Sequence, residues 1–134
     1  MSDNLFVDTN ILVYSVADDL HKRAIAEDLL LQERIVVSPQ VMSEFVVVTL
    51  RKQILELPKV IEYTTTFLKV FQVTATTANT VTSALEIIGK YHFSYWDSLI
   101  LASALESTCS IVYSEDLQDG QRIEDRLTIM NPFK

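Results

Sequence analysis

The stretch Leu5-Phe6-Val7-Asp8-Thr9-Asn10-Ile11-Leu12 decides how this 134-residue chain is read. Three apolar residues form a short strand that ends on a carboxylate and turns at once into a helix start, with Asp8 or Thr9 as its cap. That helix covers Asn10 to about Val16, and Asp18-Asp19 breaks it. An acid at the carboxyl end of a first strand stands where open α/β sheets place their ligands. Asp8 is therefore read as the first of a set of clustered acids holding a divalent cation.

Working outward, strands and helices alternate. Leu20 to about Leu31 carries Ala24, Ile25, Leu29 and Leu30 among charged residues and fits a helix with one face outward. Ile35-Val36-Val37 is a second, β-branched strand. Ser38-Pro39 opens a helix from Gln40 to about Gln53, with Ser as cap and Pro at the first helical position. Val46-Val47-Val48 lie inside that helix against their preference, so burial is expected to offset the cost. Pro58 begins a helix to about Val70 with Val60, Ile61, Phe67 and Leu68 as its core face, and Phe71-Gln72-Val73 is a short third strand. Thr76 or Thr77 caps a helix to about Ile88 that Gly89 stops. Ser94 starts the next, Tyr95 to about Glu106. Ser110-Ile111-Val112-Tyr113 is a strand followed by the turn Ser114-Glu115-Asp116, and Leu127 to Met130 closes the chain as a last strand. The fold class is α/β: three layers, with a central, mostly parallel sheet of about five strands flanked by helices.

With 49% apolar residues, residues 1–134 make a single domain able to bury roughly two thirds of its unfolded surface. No apolar run approaches the roughly 20 residues needed to span a bilayer, so no membrane is expected. The start of the chain has no signal-peptide pattern, and a cytoplasmic setting is expected. Cys109, the only cysteine, reads as a small core residue. Two glycines leave no Gly-rich phosphate loop or dinucleotide fingerprint. The net charge of −7 weighs against nucleic acid as a partner unless acids are spent on metal ions or a basic patch forms locally.

Each acid also has an ordinary reading. Asp8 suits an N-cap. Glu44 shares a helix face with Val41 and Val48, where a bare charge is costly, unless it reaches solvent at the stripe's edge or pairs with a base. Asp97 completes a capping box with Ser94, yet Ile100, Leu101 and Ala104 put it on the packed side. Asp116 suits a turn, with Glu115 and Asp119 as substitutes, and Ser114 either bonds a carboxylate or caps that turn. Taken together, two acids beyond strand ends and two on helix faces form an oxygen-rich set suited to Mg²⁺ or Mn²⁺. His21, His92 and Cys109 show no zinc-ligand spacing and supply no Ser-His-Asp or Cys-His pairing.

Phe6-Val7-Asp8-Thr9-Asn10, Ser38-Pro39-Gln40-Val41-Met42-Ser43-Glu44-Phe45, Tyr95-Trp96-Asp97-Ser98-Leu99-Ile100 and Tyr113-Ser114-Glu115-Asp116-Leu117 occur in the order and spacing of the PIN-domain ribonucleases. The chain most resembles the VapC-type toxins of toxin–antitoxin pairs, down to its closing Asn131-Pro132-Phe133. The resemblance implies a PIN-like fold and a metal-dependent endoribonuclease using Mg²⁺, or Mn²⁺. Its four acidic positions fall on Asp8, Glu44, Asp97 and Asp116, with metal at Asp8, Asp97 and Asp116. Ser114 is its polar helper, and Asn10 is expected to hydrogen-bond the acids without ligating metal. The resemblance also implies an RNA substrate, a homodimer and a small antitoxin protein lying in or near the cleft. Asp119 stands where the subgroup often has a histidine, a place from which it would adjust metal affinity or RNA placement. Lys22, Arg23, Arg51 and Lys52 are candidate phosphate contacts, with plain solvation as the alternative. The rival readings are a catalytically inactive PIN-like interaction or RNA-binding module and, less suited to 134 residues, a DNA flap or exonuclease.

Overall fold

A computed structural model describes residues 3–134. The chain runs β1 (Asn4–Val7), α1 (Thr9–Tyr14), α2 (Leu20–Leu30), β2 (Ile35–Val37), α3 (Pro39–Arg51), α4 (Leu57–Val70), β3 (Gln72–Val73), α5 (Ala78–Tyr91), α6 (Tyr95–Glu106), β4 (Cys109–Tyr113), β5 (Arg122–Ile123) and β6 (Leu127–Met130). The strands form one sheet in the order β3-β2-β1-β4-β6-β5. All pairings are parallel except the β5–β6 ladder. With the helices around it, the sheet gives the three-layer α/β architecture expected. It has six strands, since the two-residue β5 is too short to leave a periodic signal and exists only by pairing with β6.

The order places β1 between β2 and β4. The chain first builds outward through β2 and β3, then returns to the other side of β1 with β4. This reversal is the switch point beside which α/β sheets open a crevice. Phe6, Val7, Val36, Val37 and Val112 are fully buried, as expected for strands covered on both faces. Helix α6 is packed along nearly its whole length, from Ser98 to Ala104.

Several local expectations need correction. In α3 the core face is Val41, Met42, Phe45 and Thr49, while Val47 is 55% exposed, so burial does not offset its β-branched cost. In α4, Val60 is buried but Ile61 and Leu68 face outward; the helix packs through Val60, Tyr63 and Phe67, and Phe67 meets Phe45 edge-on at 5.4 Å. In α2, Ala26 and Leu29 carry the contact and Ala24 is exposed. Gly89 does not stop α5. The helix continues to Tyr91, and His92 takes the left-handed cap at φ 65°, with its N–H bonded to the Ile88 carbonyl. Leu57, not Pro58, opens α4, and Pro58 is accommodated within its first turn.

Phe45 is wholly buried on the core face of α3, against Phe67 of α4. Phe45→Ala is expected to lower the unfolding free energy by about 3–5 kcal/mol. Val47→Ala, two residues on, should stay within about 0.5 kcal/mol. Urea denaturation of the two variants measures both.

Candidate active site

Register places the first pair of functional groups. Val7 lies opposite Tyr113 in the parallel β1–β4 ladder, so the residues that follow, Asp8 and Ser114, emerge side by side. The Asp8 N–H donates to the Tyr113 carbonyl at 3.0 Å, and the Ser114 N–H to the Met130 carbonyl at 3.0 Å. The Ser114 hydroxyl donates to Asp8 Oδ2 at 2.7 Å, while its oxygen accepts the N–H groups of Asp116 and Leu117 at 3.1 and 3.3 Å. Both readings of Ser114 therefore hold: it bonds the carboxylate and caps the turn. Asp8 is likewise the N-cap of α1, its Oδ1 accepting the Thr9 N–H at 2.7 Å.

The other acids arrive from separate elements. Ser38 caps α3 and Pro39 opens it, which sets Glu44 in the second turn, one turn after Gln40. Glu44 Oε2 accepts the Thr9 hydroxyl at 2.8 Å, and Oε1 accepts Gln40 Nε2 at 3.0 Å. Asp97 occupies the first turn of α6, with its N–H on Ser94 Oγ at 3.1 Å. Asp116 follows β4. Asn10 Nδ2 stands between it and Asp8, 3.3 Å from Asp116 Oδ2 and 3.4 Å from Asp8 Oδ2. Asp8, Glu44, Asp97, Glu115 and Asp116 line one cleft of about 390 Å³, together with the apolar Val13, Val48, Ile54 and Ile100.

Electrostatics link the acids. Burial pushes the Asp8 carboxyl from 3.8 up to about 6, against the lowering effect of the Ser114 and Thr9 hydrogen bonds, and the charges of Glu44 and Asp116 add to the rise. Asp97 is raised chiefly by burial, with Asp116 and Glu44 adding to it. Among the described residues, none of these four acids is ion-paired. Nor, among them, does any trio of Asp, Glu, His or Cys side chains form a ready-made metal site. The acids share one cleft without forming such a trio among the described residues. Unneutralised carboxylates repel one another, and Thr9 links two of them, its N–H on Asp8 and its hydroxyl on Glu44. The donor set still fits a hard divalent cation: it is all oxygen, carries excess negative charge, and includes two carboxyls, Asp8 and Asp97, raised by burial and neighbouring charge that a cation would relieve.

The remaining predicted residues are spread out. Lys52 lines the cleft, whereas Arg51 is exposed outside it. Arg23 pairs with Glu27 at 2.9 Å. Lys22 is bound to Glu115 and also donates to Tyr14 Oη at 3.2 Å, beneath the Phe133 ring. Tyr14 Oη donates to Glu115 Oε1 at 2.6 Å. Burial works to raise the Glu115 carboxyl, but the Lys22 and Tyr14 bonds outweigh it and hold the carboxyl below its usual range. The Glu115 N–H in turn donates to Asn10 Oδ1 at 3.1 Å, which fixes the Asn10 amide toward the acids. Asp119 lies outside the cleft, accepting the Asn131 N–H at 2.9 Å, so its expected role near the metal is not supported. Cys109 is buried and its thiol pushed up to about 12, as suits a core residue. Gln40 and Tyr14 were missed by sequence reasoning, although the four-residue offset of Gln40 from Glu44 was there to be read.

Two predictions follow from this geometry. Protonated Asp8 favours the folded metal-free protein: the contribution is complete below pH 3.8 and is lost as pH rises through about 6, on the order of 3 kcal/mol. Relative to wild type, Asp8→Asn should therefore gain about 2 kcal/mol of stability between pH 4.5 and 7.5 in chelator, measured by urea denaturation. Ser114→Ala leaves Asp8 Oδ2 and two buried N–H groups short of a partner; it should cost about 1–3 kcal/mol and raise the Asp8 pKa further, read by carboxyl ¹³C NMR titration.

Comparison with known proteins matches residues 5–121 to the PIN domain. The curated proteins contain no match. Among solved structures, a toxin–antitoxin complex from Klebsiella pneumoniae superposes with a TM-score of 0.71 at 18% identity, covering 96% of this chain and 97% of that one. Mycobacterium tuberculosis VapC20, described as a sarcin–ricin loop cleaving toxin, gives 0.70 at 17% identity over 84% and 92%. DNA-bound VapBC from Salmonella typhimurium gives 0.69 at 16% identity over 98% and 99%. With a parallel sheet that switches direction at β1, four acids at its carboxyl edge and a domain match across most of its length, the chain belongs to the PIN-domain family.

Proposed function

We propose that this protein is a Mg²⁺- or Mn²⁺-dependent endoribonuclease and the toxin of a toxin–antitoxin pair. The observation that carries this reading is the convergence of Asp8, Glu44, Asp97 and Asp116 on one cleft of a PIN-domain chain. Asp8, Asp97 and Asp116 are the residues that would hold the ion. When bound, it lowers the pKa of water and offsets the charge that builds on the phosphate oxygens. Glu44, anchored by Thr9 and Gln40, orients the attacking water. Ser114 and Asn10 hold the Asp8 and Asp116 carboxylates in place. Direct attack by water leaves a 5′-phosphate and a 3′-hydroxyl. Lys52 is the cleft's own cation for the RNA backbone.

Partners follow the same reading. The superposable toxins include members of toxin–antitoxin complexes, which supports a small antitoxin protein as the partner here. Outward-facing Leu57, Ile61 and Leu68 on α4 and Val81 and Leu85 on α5 offer apolar area for a homodimer. Among the described residues, no helix is long and apolar enough to cross a membrane.

Asp97→Asn should cut metal-dependent RNA cleavage by at least about a hundredfold without lowering the melting temperature of the metal-free form. End-mapping of RNA after brief expression of wild type and variant reads this, with 5′-phosphate ends expected in the wild-type sample alone. The alternative is a catalytically inactive PIN-like interaction or RNA-binding module using the same cleft. Calorimetric titration with Mn²⁺ decides between them: saturable uptake that Asp97→Asn weakens supports the nuclease, and no uptake supports the module.

A further inference from the structure

The cleft poses an electrostatic problem for the reading above. Five carboxylates and one ammonium, that of Lys52, line it, on a chain of net charge −7. Polyanions usually bind protein through several Lys or Arg side chains that release counterions, and that means is largely missing here. Part of the affinity for a single strand therefore has to come from contacts that carry no charge, and stacking of bases on aromatic faces is the available kind.

One side chain is placed for it. Trp96 is 62% exposed although it is the chain's only tryptophan and sits beside Asp97 in the first turn of α6. Among the described residues, it is the one large exposed apolar side chain that lines the acidic cleft; the others project from outer faces. It also walls a second depression with Gln40, Ser43 and Glu44, so the two concavities share Gln40, Glu44 and Trp96 and run into each other. The platform is held in place. The Tyr95 ring meets the indole edge-on with centroids 5.1 Å apart, and Gln40 Nε2 donates to the Trp96 carbonyl at 3.2 Å while also holding Glu44. An indole pairs a broad apolar face with a polar N–H, which suits it to contacts made at a partly wet surface.

We propose that Trp96 is the stacking platform of a nucleobase subsite, with Gln40, Ser43 and Glu44 as its floor, which seats an unpaired base of single-stranded RNA next to the acidic cluster. The inference rests on the ribonuclease reading for the identity of the strand, and its test is independent of cleavage. As the sole tryptophan, Trp96 reports on its own occupancy.

The full-length protein in chelator is titrated with an adenylate octamer and with an abasic ribose-phosphate octamer of equal charge, and tryptophan fluorescence is followed. Saturable quenching by the adenylate octamer alone is expected. Binding of a fluorescein-labelled adenylate octamer, read by anisotropy, should fall about ten- to a hundredfold in Trp96→Ala and stay within about fivefold in Trp96→Phe, which keeps an aromatic face. Because Trp96 is exposed, both variants should keep the parent melting temperature. The proposal is overturned by any of three results: no quenching at millimolar octamer, equal response to the abasic strand, or unchanged RNA affinity in Trp96→Ala. The last of these would assign the indole to a protein partner. Base-dependent quenching with no metal-dependent cleavage would sink the nuclease reading and keep the subsite. Cleavage with unaltered affinity in Trp96→Ala would do the reverse.

Discussion

A carboxylate buried at the end of a central strand is the constraint on which this structure turns. Asp8 is almost fully removed from water, and desolvation alone would drive it neutral. The Ser114 hydroxyl and the Thr9 N–H work against this, and both partners come from the way the chain leaves the sheet. Ser114 is beside Asp8 because β1 and β4 are paired parallel with Val7 opposite Tyr113; a slip of one residue would turn the serine to the other face. The site is thus tied to sheet register, and the sheet's core strands are buried on both sides, which makes that register hard to shift.

From Asp8 the influence spreads through hydrogen bonds. Thr9 reaches from the same turn to Glu44, and Gln40 links Glu44 to the start of α6, where Asp97 lies. On the other side Asn10 receives the Glu115 N–H and stands between Asp8 and Asp116, while Lys22 and Tyr14 hold the Glu115 side chain. Five carboxylates share the cleft, and Thr9 and Asn10 bridge three of them, Asp8 with Glu44 and Asp8 with Asp116, against their mutual repulsion. Their mutual repulsion, unrelieved by any ion pair to Asp8, Glu44, Asp97 or Asp116 among the described residues, adds to the burial that raises Asp8 and Asp97. The same concentration of negative charge shapes how a polyanion can approach, and it gives the exposed Trp96 a physical purpose.

The residues that were legible in the sequence share a property: their roles depend on neighbours within a few positions. Ser38-Pro39 marked the start of α3, Ser94 that of α6, and the apolar runs around Phe6, Val36 and Val112 marked the inner strands. Where the reading failed, a distant contact decided. Val47, Ile61 and Leu68 are apolar at helical spacing, yet only the crossing of α3 and α4 determines which apolar positions meet Phe45 and which face outward. Helix α5 passes through Gly89 because its last turn packs, with Tyr91 bonded to the β5 region through the Glu124 N–H. Asp119 looked like a site residue by its place in a motif, but the segment before β5 carries it to the N–H of Asn131, just past β6.

What the sequence determined by itself was the set of chemical groups and their places along the chain: acids just past two strand ends, acids in the second turn of α3 and the first turn of α6, and an alternation of elements that demands a parallel sheet. These follow from local periodicity and capping, which act over four or five residues. Only the tertiary structure decided that the four acids open onto a common cleft, that Lys22 is bound to Glu115 while Lys52 faces the cleft, and that an unburied indole stands at its mouth. Those outcomes depend on strand order and helix crossing, set by contacts between residues far apart in the chain, as in the hydrogen bond from Ser114 to Asp8 across 106 positions.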